Sequence, residues 1–137
     1  MFDCMVPISI GELLDKITIL EIKSERIADK AKLLNVRKEL ELLRDTWTRL
    51  GIERPELAQL MTQLKDVNER LWEIEDNIRE QESLRSFGPE FVELARTVYV
   101  TNDERASLKR EINDLTGSSL VEEKSYRNYA AEVDSTE

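Results

Sequence analysis

Apolar side chains return every three to four positions along almost the whole chain, the period of one face of an α-helix and not of a strand. The first seam is Ile10, Leu13, Ile17, Leu20, Ser24 and Ile27. Ser9 and Glu12 have the spacing of a capping box, whose hydroxyl and carboxylate satisfy free amides of a first turn, so a helix is predicted to begin near Ile10. The seam then slips and resumes in a shifted phase at Leu33, Val36, Leu40, Leu43, Trp47 and Leu50. With no Gly or Pro at the slip, the reading is one long helix, bent or locally broken near Asp29 to Asn35 and stopped by Gly51 in a left-handed turn.

Pro55 suits the first turn of a second helix, and Leu57, Leu60, Leu64, Val67, Leu71, Ile74 and Ile78 follow in strict heptad spacing. After Phe87, Gly88 and Pro89 a third helix carries Phe91, Leu94, Val98, Leu108, Ile112 and Leu115 on one face. Thr101 and Arg105 interrupt that face, and Thr101 with Glu104 has capping-box spacing, so a break near 101 is expected. The fold class is all-α: an antiparallel bundle of three long helices with coiled-coil-like seams, arranged up-down-up, plus a C-terminal docking tail. At 1.5 Å per residue the first helix would be roughly 60 Å long, so its N-terminal part projects beyond the others or folds back on them.

Composition fits a single domain over 1–137, with a core over about 9–129 and a flexible end over 130–137. The chain has 137 residues, 40% of them apolar and 36% charged, which is enough for one core and a large solvated surface. A net charge of −9 repels a phosphate backbone, so nucleic acid is not an expected partner. No apolar run is long enough to span a bilayer, and Met1 to Ile10 contains Asp3 and no basic residue, unlike a secretion signal. The expected location is therefore cytoplasmic, with no membrane partner. Cys4 is the single cysteine and is expected to be a small buried apolar group. The chain contains no His, which removes the usual general base, the usual metal ligand and the usual partner of a nucleophile. No catalytic residue, cofactor-binding residue or metal ligand is assigned. The chemistry left open is that of carboxylate, Lys or Tyr, with a small Mg²⁺-dependent enzyme acting on a phosphorylated metabolite or nucleotide as the alternative to a protein-binding role.

Two enzyme patterns test that alternative. Glu53, Glu56, Glu73 and Asp76 match the paired acidic motifs by which helical nucleotide pyrophosphohydrolases bind Mg²⁺, but an acidic chain produces such pairs by chance. On one continuous helix Glu56 and Glu73 would also stand about 25 Å apart, too far to share an ion. LDKITILEIKSERI resembles the first helix of the helical chorismate mutases in outline, yet Asp15 and Lys16 stand there without the arginine that family needs. The row Glu69, Glu73, Asp76 and Glu80 could bind Mg²⁺ or a basic partner, but with Arg70 and Arg79 beside it, it reads as a solvated outer face. Nine bases stand against eight acids from Ile10 to Leu50, but five against nine from Ile52 to Phe87, so the first two helices complement one another.

Interface candidates come from apolar residues the seams do not use. Ile19 and Ile22 lie on the face of the first helix opposite Leu13, Ile17 and Leu20, where a three-helix layer would leave them wet. Either Leu120, Val121 and Tyr126 of the tail cover them, or these five residues form a partner or homo-oligomer surface. Trp47 and Trp72 read as packing, with Trp72 beside its seam and partly exposed. The polar run from Ser118 to Tyr126 reads as a docking turn, or as a small anion or partner site.

The stretches VPISIGELLDKITILEIKSERI, NVRKEL, LWEIEDNIR, TNDERASLKREIN and GSSLVEEKSY, from about Val6 to Tyr126, together resemble a family of short bacterial proteins classed only as domains of unknown function. The resemblance implies a bacterial protein standing as a complete unit and carries over no catalytic residue. The expected role is a non-enzymatic helical protein that binds another protein or itself through the first helix and the tail.

Overall fold

A computed structural model describes residues 1–129, and the end expected to be flexible, 130–137, lies outside the described residues. All regular structure in it is helical. The helices are α1 (Ile10–Arg26), α2 (Lys30–Leu50), α3 (Glu56–Ser83) and α4 (Pro89–Thr116). None is long and apolar enough to cross a membrane.

The expected three-helix count is corrected to four, because the first long segment is two helices. Ile27 is extended (φ −79°, ψ 129°), and so is Asp29, whose side chain accepts from the Lys32 amide at 3.0 Å and caps α2. A carboxylate at the N-cap does here what Gly or Pro does elsewhere: it satisfies the new helix's free amides and so makes the break affordable. The phase slip between Ile27 and Leu33 was its trace. Gly51 does end α2 in the left-handed region at φ 62°. The expected break near 101 is absent, since α4 runs unbroken through Thr101, which is buried.

α1 is the central element. It packs against α2, α3 and α4, whereas α2 comes close to no other helix among the described residues. The core therefore gathers round Leu13, Leu14, Ile17 and Leu20 of α1, met by Val36 and Leu40 of α2, Leu57 and Leu64 of α3 and Ile112 of α4. Burying each such side chain contributes about 1.5–3 kcal/mol. Ahead of Ser9 the chain lies outside this core and every residue is exposed, so Cys4 is exposed and not buried as expected.

The tail also departs from expectation. It runs back along α4, tied by Glu122 to Lys109, Glu123 to Arg110 and Lys124 to Asp103, and it ends with Tyr129 edge-on to Tyr99 at 5.3 Å. It does not cover the far face of α1.

Candidate functional site

The seam between α1 and α4 is polar. Arg105, Lys109 and Asn113, which with the buried Thr101 recur at four-residue steps on α4, meet Gly11, Glu12 and Asp15 of α1. At its closed end the Gly11 amide donates to Asn113 Oδ1 at 2.7 Å, and the Ile10 amide donates to Ser118 Oγ at 3.2 Å. The Glu12 amide donates to Ser9 Oγ at 3.1 Å, so the N-terminus of α1 is capped partly by its own Ser9 and partly by Asn113 of α4 and Ser118 beyond it. The Glu12 carboxylate takes Lys109 Nζ at 2.6 Å and Lys16 at 3.8 Å.

Further along the seam, Asp15 is fully buried, at 0% exposure. Its Oδ1 accepts from Asn68 Nδ2 at 2.9 Å and from Arg105 Nε at 3.0 Å, while Oδ2 accepts from Arg105 Nη2. Asn68 Nδ2 also donates to Thr18 Oγ1 at 3.0 Å, and that hydroxyl donates to the Asp15 carbonyl at 2.8 Å. Lys109 Nζ lies 3.9 Å from Asp15 Oδ2 and 2.7 Å from Glu122 Oε2. Three carboxylates thus share two bases, each with a hydrogen bond, the condition under which buried charge is tolerated.

These surroundings hold both bases in the charged form. The hydrogen bonds to Asp15 raise the Arg105 pKa against the opposing effect of burial, and the charges of Asp15 and Glu12 add to them. For Lys109 burial is the largest effect and acts downward, but hydrogen bonds to Glu12 and Glu122 and the charge of Asp15 outweigh it, leaving the pKa above 10.5.

Arg105 connects this network to solvent. It lines an open groove of about 470 Å³ between α1, α3 and α4, with Ile19, Leu71 and Trp72 as its apolar surface and Glu75 and Asp76 on α3. Asn68 and Asn102 complete it. Asp76 has no ion pair or hydrogen bond among the described residues, and neither does Asn102. Near the same Trp72 ring sits a cation supplied by the chain itself: the Arg26 guanidinium lies 6.0 Å from the ring centroid and reaches Glu73 at 3.4 Å and Glu69 at 3.7 Å.

The sequence model of a family of unknown function, DUF6165, matches residues 4–135. The chain belongs to that family. No curated protein matches it, and no solved structure does.

Within this DUF6165 chain the residues singled out from sequence are dispersed. Ile22 is buried at 1% exposure because α1 is enclosed by three helices, and Ile19 is half-buried at the groove. Leu120, Val121 and Tyr126 are exposed on the tail, away from the groove lining. Trp72 is half-buried in that lining, and Trp47 packs against the core. In the acidic row Glu69 and Glu73 are engaged by Arg26. Glu56 and Glu73 do share the single helix α3, so the pyrophosphohydrolase pattern does not converge. Among the described residues no three acidic or cysteine side chains are placed to hold one metal ion. Sequence reading missed Asp15, Asn68, Arg105 and Lys109. The available signal was the four-residue recurrence of polar residues from Thr101 to Asn113, of which Thr101 and Arg105 read only as interruptions of an apolar face.

Proposed function

We propose that this DUF6165 protein is a non-catalytic docking protein whose groove beside Trp72 receives a basic side chain from an amphipathic segment of a protein partner. The observation that carries the proposal is the Arg26 guanidinium near the Trp72 ring and within reach of two carboxylates, Glu73 and Glu69. The groove offers the same recognition chemistry again, since Trp72 lines it together with Asp76 and with Glu75, which pairs with the exposed Arg79 at 3.2 Å. A lysine or arginine stem would lie on Ile19 and Leu71 while its head meets the carboxylates. Arg105 does not repel it, being neutralised by Asp15. The raised pKa of Lys109 keeps its amine protonated near neutrality, where a general base needs a lowered one.

The test uses Trp47→Phe, which leaves Trp72 as the only indole, titrated with a short helical peptide of arginine and leucine. A saturable change in Trp72 emission is expected, weakened at least tenfold by Asp76→Asn combined with Glu75→Gln, which corresponds to about 1.4 kcal/mol. Glu53→Gln combined with Glu56→Gln removes the same charge elsewhere and should leave the affinity unchanged. Equal weakening by both pairs would reduce the binding to net charge and end the proposal.

A further inference from the structure

From residue 69 to residue 100, the distal part of α3 and the first part of α4, no side chain is buried. Ile74, Ile78, Phe91, Leu94 and Val98 keep their seam spacing there but are only half-buried, and Leu84, Phe87 and Val92 are exposed. The reason is length. α3, at 28 residues, spans about 42 Å, whereas α1, at 17, spans about 26 Å, so a two-helix arm extends past the central helix. The α3–α4 pairing covers this seam only by half, so a third helix laid along it would bury the remainder.

We infer that a second copy of this chain supplies that helix: α2 of each copy lies along the other's arm with Lys38 in the Trp72 groove. The inference rests on the groove reading above and names its occupant. Among the described residues α2 packs only on α1, and its buried residues Val36 and Leu40 leave the opposite face exposed. On that face Leu34, Lys38 and Leu42 stand at successive four-residue steps, with the leucines 69% and 52% exposed. An apolar, basic, apolar stripe matches a groove with apolar walls and carboxylates beside it. Charge agrees along the whole contact: α2 carries six bases against three acids, and residues 73–100 carry seven acids against three bases. Because each chain has both surfaces, the exchange can close with two-fold symmetry, each contact made twice.

Light scattering on the full chain is expected to give twice the 16.0 kDa chain mass, and the chain mass for Leu34→Glu combined with Leu42→Glu. Both positions are exposed, so circular dichroism should be unchanged. Charge reversal gives an independent arm. Arg37→Glu with Lys38→Glu, and separately Glu75→Lys with Asp76→Lys, should each give the chain mass alone and regain twice that mass when mixed one to one. A wild type at the chain mass at 100 μM would overturn the inference, as would a dimer indifferent to the α2 substitutions or reversed variants that stay apart on mixing. If the chain is monomeric while the arginine peptide still binds Trp72, the self-pairing falls and the docking function stands. Because Lys38 of the second copy would exclude the peptide from the dimer, the deciding titration uses the Leu34→Glu, Leu42→Glu variant: if the peptide fails to bind that chain, the groove reading falls, and this inference with it.

Discussion

Gly11 of α1 approaches the Lys109 carbonyl of α4 so closely that a Cβ on it would lie 2.6 Å from the oxygen. The obstacle is backbone, which cannot swing aside as a side-chain end can. Close approach here lets the Gly11 amide reach Asn113 and brings Glu12 and Asp15 to their bases. Gly11→Ala should therefore destabilise the fold by about 1–3 kcal/mol, the cost of overpacking, even though Ala is the better helix former by about 1 kcal/mol. Urea unfolding measures it, and a stabilised variant would show that the two helices can separate freely.

Asp15 and Arg105 should behave as a unit. Asp15→Leu leaves the guanidinium half-buried without its carboxylate and should cost about 3 kcal/mol. Arg105→Met added to it removes the stranded charge and should recover a large part of that loss, because apolar replacements of a buried pair avoid its desolvation. Denaturant midpoints of the two single variants and the double variant give the coupling energy. Additive losses would mean that the pair does not act together.

Lys109 makes stability depend on alkaline pH. Its folded-state pKa is raised above the ordinary 10.5, so its contribution is present in full below pH 10.5 and is lost as the pH climbs through the raised value. Lys109→Met should melt well below wild type at pH 8, and the gap between the two should narrow above pH 10.5. A gap independent of pH would show that Lys109 contributes by packing alone.

Asp29 separates α1 from α2 by capping the second helix. Asp29→Ala should cost about 1 kcal/mol, and Asp29→Ser should restore most of it, since serine offers the same acceptor. Thermal melts followed by circular dichroism decide this, and an alanine variant as stable as wild type would remove the cap from the account of the break.

The helical class was legible in local pattern alone. Seams at Leu57, Leu64 and Val67, the stop at Gly51 and the start at Ser9 depend on neighbours within a turn or two, and each stands in the structure where the spacing put it. The helix count was less legible, because Asp29 is an ordinary solvated acid unless the chain turns there.

Thr101, Arg105, Lys109 and Asn113 mark the limit of such reading. On their own helix they are polar residues spoiling an apolar stripe, and Asp15 likewise spoils the middle of α1. What makes them a seam is that they meet: Asp15 and Arg105 are 90 positions apart in the chain and share hydrogen bonds. Periodicity reports which side of a helix avoids water, and it does so from one segment at a time. Pairing of buried charges is a property of two surfaces in contact, so it came into view only with the packing of α1 between α3 and α4.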